Sequence, residues 1–165
     1  QHLQEDLDVT TVYVTHDQAE ALAVSDRVAV MADGRIEQVA DPETVYREPA
    51  TRFVAEFVGD NNLFEGEVTA ADPPTASVAD RDFPLPPGAS VAPGERVTLC
   101  VRPEALAGGG RTTLEATVEA VEFLGDAYRV HCEWADRAVL VKTDARPAPG
   151  DRLALGIDPG EVHLL

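Results

Sequence analysis

The chain has 165 residues, 44% of them hydrophobic and 5% aromatic, enough for one ordinary domain or two small ones packed chiefly by aliphatic side chains. Thirty acidic residues against 13 basic ones give a formal charge of −17, spread along the whole length. That excludes a binder of nucleic acid or anionic lipid, which needs clustered positive charge, and no apolar run nears the ~18 residues of a membrane span.

Lys142 is the only lysine beside 12 arginines. An acidic surface with almost no lysine is expected of a salt-rich cytoplasm; an acidic protein of a GC-rich genome is the plainer alternative. Cys100 and Cys132 lie in separate strand-like runs and neither forms a C-x-x-C pair, the pattern of two buried free thiols in a reducing compartment. Met31 is the only methionine, so a segment upstream of Gln1 is expected.

Gln1 to Leu7 reads as the end of a helix, with Leu3 and Leu7 one turn apart. Thr11 to Thr15 follow without polar alternation, which predicts a strand buried on both faces of a parallel sheet. Asp17 is placed to cap a helix whose Ala19, Leu22 and Ala23 share one side. Residues 27–40 read as a hairpin around Asp33-Gly34, since Asp-Gly supplies the positive φ angles of a tight turn. Asp41 and Pro42 start a further helix and Pro49 interrupts it. A second short helix then turns Phe53, Val54, Phe57 and Val58 toward a core, with Gly59 as its stop.

After Asp60 only strand patterns and turns follow. Candidate strands cover 63–70, 96–102, 114–124, 127–134, 138–143, 152–157 and 161–165. Six prolines and two glycines between Pro73 and Gly94 predict a long loop, and Gly108 to Gly110 a second one. Two echoes are visible, 56–60 with 122–126 and 63–68 with 113–118. Their offsets disagree, so they do not establish a duplication. The expected fold class is α+β, divided near residue 60: residues 1–60 carry helices and a little sheet, and residues 61–165 form an all-β small barrel or sandwich.

Few residues carry candidate chemistry. His16 stands at the tip of the 11–15 segment, where open α/β sheets bind ligands; a histidine satisfied by interior backbone is the other reading. His16 and Glu20 are one turn apart, but two ligands are too few for a structural zinc site, and no metal is expected. His2, His131 and His163 have no ligand spacing. His131 and Cys132 are neighbours on a strand and point to opposite faces. There is no G-x-S-x-G elbow, and the glycine triplet lacks the Gly-Lys-Ser/Thr ending of a phosphate loop. The β half lacks the basic, aromatic surface of an oligonucleotide binder.

The run VYVTHDQAEALAVSDRVAVMADGRIEQVADPETVYREPATRFVAEFVGDNN resembles the C-terminal end of an ABC-transporter ATPase subunit, of the importer group serving maltose, polyamines and ferric iron. The later motifs LFEGEV, VRPE, VEFLGDAYRVHCE and GIDPGEVHLL resemble the transport-associated OB (TOBE) domain appended to those ATPases. The resemblance implies that residues 1–60 are the C-terminal remnant of a P-loop ATPase α/β domain and 61–165 an OB-like barrel. It makes His16 the switch histidine that reaches the γ-phosphate of ATP, since phosphoryl transfer is catalysed by positioning and by stabilising charge on the phosphoryl oxygens. It implies ATP and Mg²⁺ in a complete parent protein. It implies permease subunits and a second ATPase copy as partners, a small ligand or regulatory protein on the barrel, and a place on the cytoplasmic face of the membrane. The family's phosphate-binding loop, glutamine loop, signature motif and Walker B acids are absent, so this chain alone is expected to be inactive. The alternative is a non-catalytic binding module built on the barrel.

Overall fold

The computed structural model describes residues 10–106 and 112–165. The expected helix at 1–7, His2 and the glycine triplet lie outside them. Two compact units divide between Gly59 and Asp60, and the chain is mostly β.

The first unit holds helix α1 (Gln18–Val24), the hairpin β1 (Val28–Ala32) and β2 (Arg35–Ala40), and helices α2 (Pro42–Arg47) and α3 (Arg52–Phe57). Each helix is started by a side chain that satisfies an otherwise open N–H. Asp17 accepts from Glu20 N, Asp41 from Thr44 N and Thr51 from Val54 N. Asp33 and Gly34 both have positive φ (47° and 75°) and close the hairpin as a tight turn. Val30, Val45, Val54 and Val58 form a small core, with Leu22 and Tyr46 packed against it.

One expectation fails in this unit and another fails in part. Residues 11–15 form no strand, and Val12 and Val14 are 86% and 90% exposed. A strand exists only where a neighbour takes up its N–H and C=O groups, and among the described residues none lies beside these. On α1, Leu22 packs against the small core, and Ala19 and Ala23 are exposed. Phe53 and Phe57 stay outside the core and stack on each other, their ring centroids 5.6 Å apart, while Val54 and Ala55 turn inward. Of the four residues expected to face the core, Val54 and Val58 do and Phe53 and Phe57 do not.

The second unit is two antiparallel sheets around one core, in an OB-like arrangement. Its strands are β3 (Asn62–Ala71), β4 (Pro74–Val78), β5 (Arg81–Pro84), β6 (Arg96–Val101), β7 (Thr112–Phe123), β8 (Tyr128–Trp134), β9 (Arg137–Thr143), β10 (Arg152–Ile157) and β11 (Val162–Leu164). The sheet orders are β11-β6-β3-β4-β5 and β10-β7-β8-β9. Alternate residues point inward, as the two-residue period of a strand requires: Phe64 and Val68, Leu99 and Val101, Leu114, Ala116 and Val118, Val130, Cys132 and Trp134. Phe64, Phe83 and Trp134 make an aromatic knot with centroids 5.3 to 6.1 Å apart.

The proline-rich stretch is not one long loop, because it contains β4 and β5. Pro74 opens a strand and Pro84 ends the sheet's edge strand, both places where a missing N–H is tolerated.

The two sheets repeat one another. The connectivity β6-β3-β4-β5 is that of β10-β7-β8-β9, each followed by a 3-10 turn, Pro103–Leu106 or Pro159–Glu161. Residues 63–68 correspond to 113–118, and both strands shift register just beyond, at Val68/Ala70 and Val118/Ala120. Gly94 N donates to Val68 O, and Gly150 N donates to Val118 O, each at 2.8 Å. The turns Ala79-Asp80 and Ala135-Asp136 both have positive φ at both residues. The echo between 63–68 and 113–118 is therefore a structural repeat. The echo between 56–60 and 122–126 is not, since the former ends a helix and the latter a strand.

Asn62 breaks the repeat's symmetry. Buried on β3, it donates from Nδ2 to Leu140 O (2.8 Å) and Val101 O (3.4 Å), and its Oδ1 accepts from Leu140 N (2.7 Å). It acts as a piece of backbone that joins β9, the edge of one sheet, to the other sheet. In the repeat the position of Leu140 is taken by Pro84, which has no N–H to give.

Candidate functional site

His16 is exposed and sits on a bend directly before α1. The turn around it is knitted together by its neighbours. Thr15 Oγ1 accepts from Asp17 N at 3.0 Å and donates to Glu20 Oε2 at 3.3 Å. Tyr13 OH donates to the same Glu20 oxygen at 3.0 Å. Asp17 Oδ1 accepts from Glu20 N at 3.0 Å. Hydrogen bonding to Glu20, and then the repulsion of its charge, raises the Tyr13 pKa. Glu20, which the sequence paired with His16 as a conceivable ligand, is a fastener of the turn. These bonds hold the backbone on both sides of His16 and leave the imidazole facing outward, able to donate to an anionic oxygen.

The described residues contain no cluster of three or more His, Cys, Asp or Glu residues able to hold a metal ion. The sequence has no glycine-lysine phosphate loop. His16 is the one residue here that the phosphate reading uses.

The barrel carries two other polar or concave features. Arg129 binds Asp60 Oδ2 at 2.6 Å and Glu122 Oε2 at 3.4 Å, and His131 Nε2 lies 3.3 Å from Glu122 Oε1. Sequence reasoning missed this cluster, because Glu122, Arg129 and His131 meet through the β7–β8 pairing and Asp60 lies 69 residues from Arg129. On the opposite face, Val121, Phe123, Tyr128 and Arg146 line an open pocket of about 220 Å³. Cys100 and Cys132 are buried and free; burial pushes the Cys100 thiol up to about 11 and raises that of Cys132. His131 is half-exposed while Cys132 faces the core, so the two do not converge.

Comparison with known proteins shows what the chain is similar to. Residues 99–165 match the TOBE domain family. Over nearly its whole length the chain is also similar to import ATP-binding proteins. The Fe(3+) ions import ATP-binding protein of Pectobacterium atrosepticum is 38% identical over 168 residues, covering 99% of this chain and 47% of that protein. The spermidine/putrescine import ATP-binding protein of Rubrobacter xylanophilus is 40% identical over 168 residues, covering 98% and 44%. The sn-glycerol-3-phosphate import ATP-binding protein of Salmonella choleraesuis is 38% identical over 178 residues, covering 99% and 48%. Nearly the whole chain is thus similar to import ATP-binding proteins, and its residues 99–165 match the TOBE domain family. It spans about half the length of the curated relatives it matches. The solved structure of the cytoplasmic molybdate-binding protein ModG aligns with a TM-score of 0.49 at 17% identity, covering 62% of this chain and 94% of that one. Likeness at that level supports no assignment of ligand. No helix among the described residues is long and apolar enough to cross a membrane.

Proposed function

We propose that this chain is part of the ATP-hydrolysing subunit of an ABC solute importer. In the complete subunit His16 contacts the γ-phosphate, and the TOBE barrel is a regulatory appendage. The observation that carries the reading is the relationship to importer ATP-binding proteins across both units, including the run around His16. The His16 turn supports it: an imidazole on a backbone fixed by Thr15, Asp17 and Glu20 can donate to phosphoryl oxygens without reorganising. ATP and Mg²⁺ would be held mainly by groups outside this chain. A second subunit and the permease are the partners, on the cytoplasmic face of the membrane. The similar relatives import iron, polyamines and glycerol phosphate at 38 to 40% identity, so the solute is not set by this region.

The test is His16→Ala in a complete subunit assembled with its permease. ATP hydrolysis and transport should fall together by roughly 10²-fold or more, the scale seen when a transition-state contact is removed. Unchanged hydrolysis and transport would remove His16 from the mechanism. The 165-residue chain alone should give no heat of ATP binding in a calorimetric titration, and micromolar affinity would contradict the assignment of the remaining contacts to groups outside it.

A further inference from the structure

Gln18 is the first residue of α1, two positions beyond His16. Its side-chain Oε1 accepts from the backbone N–H of Gly59 at 2.9 Å, across 41 residues of sequence. Gly59 has φ +72° and is the last residue of the first unit. The next residue, Asp60, opens the second unit, where its carboxylate binds Arg129 (2.6 Å) and its carbonyl accepts from Arg102 (3.3 Å). The residue at which the chain leaves the first unit is therefore tied to the helix that begins beside His16. No other side-chain hydrogen bond of α1 reaches so far along the chain among the described residues.

We propose that Gln18 is a positioning residue that makes the His16 turn and the exit of the first unit one mechanical piece. The proposal rests on the reading of His16 as a phosphate contact and adds that a displacement of α1 is handed to Gly59, the last residue of the first unit. Gln18 touches no reacting atom; it acts through the Gly59 amide. Coupling of this kind is reciprocal, so a disturbance at either end is felt at the other.

The test is amide hydrogen exchange, read residue by residue by NMR on the 165-residue chain. In Gln18→Ala, the Gly59 amide and the Glu20 amide held by Asp17 should both exchange roughly two- to tenfold faster. The Val45 and Ala55 amides, which close the first turns of α2 and α3 onto Asp41 and Thr51, should not change. Gln18→Glu keeps an acceptor oxygen and should restore both rates. Gly59→Ala strains the exit from the other end and should speed the Glu20 amide. An unchanged Gly59 rate in Gln18→Ala, a Glu20 rate indifferent to both variants, or a change that spreads to the controls as general unfolding overturns the proposal. No nucleotide enters the experiment, so its failure is distinct from failure of the His16→Ala assay.

Discussion

At the scale of residues, Asn62 shows how much one side chain can hold. Replacing it with alanine leaves the Leu140 N–H and C=O without their partners. Unsatisfied buried backbone groups are costly, and Asn62→Ala should lower stability by about 1–3 kcal/mol in a urea titration. Nothing in the local sequence marks Asn62 for this work, because its partner lies 78 residues away. Cys100 yields a pH prediction. Burial raises its thiol from an ordinary 9.0 to about 11, with the Arg102 charge pulling the other way. The folded state therefore holds the thiol proton more tightly than the unfolded state. The stabilisation is full below pH 9 and is lost as pH rises toward about 11. Cys100→Ala should flatten that alkaline slope, as measured by denaturant midpoints across the interval. Only its motif marks His16 as a candidate site, since exposure and a bend do not separate a phosphate contact from an idle surface histidine.

At the scale of elements, the sequence was readable wherever local chemistry decided the outcome. Asp17, Asp41 and Asp33-Gly34 announced two caps and a hairpin because each needs only its neighbours. Strands β3, β6 to β10 and β11 were visible through alternation. β4 and β5 were hidden, because prolines argue against strands and Ala79-Asp80 lacks the usual Asn-Gly signal. Residues 11–15 went the other way: their β-branched pattern is sound, but a strand is completed by its neighbour. The turns supply a prediction. Ala79 and Ala135 have φ of 47° and 50°, a left-handed conformation that alanine resists. Ala79→Asn and Ala135→Asn should each stabilise the protein by about 0.5–1 kcal/mol, read as a raised thermal midpoint. Equal gains at both sites would also support the equivalence of the repeated hairpins.

At the scale of the whole molecule, a formal charge of −17 acts on everything described. Like charges dispersed over a small protein repel, and salt screens that repulsion over about 10 Å at 0.1 M. The thermal midpoint should therefore climb as sodium chloride is added from low ionic strength. A midpoint indifferent to salt would mean that the excess acidic groups lie too far apart for their repulsion to matter. The repeat could be seen only at this scale. Its offset is 50 in the first strand of each half and 56 from the following hairpin onward, and a single-offset comparison finds only pieces of it. Shared connectivity, register shifts and turns reveal it where residue identity is thin.

The bridge built on Asn62 also gives the molecule a chemical lifetime. Hydrolysis of that amide by water, with release of ammonia, leaves a carboxylate, which still accepts from Leu140 N but has no hydrogen to offer Leu140 O or Val101 O. Aged preparations would then gather a slightly more acidic species, separable by charge, whose sheets part at a lower temperature than those of fresh protein.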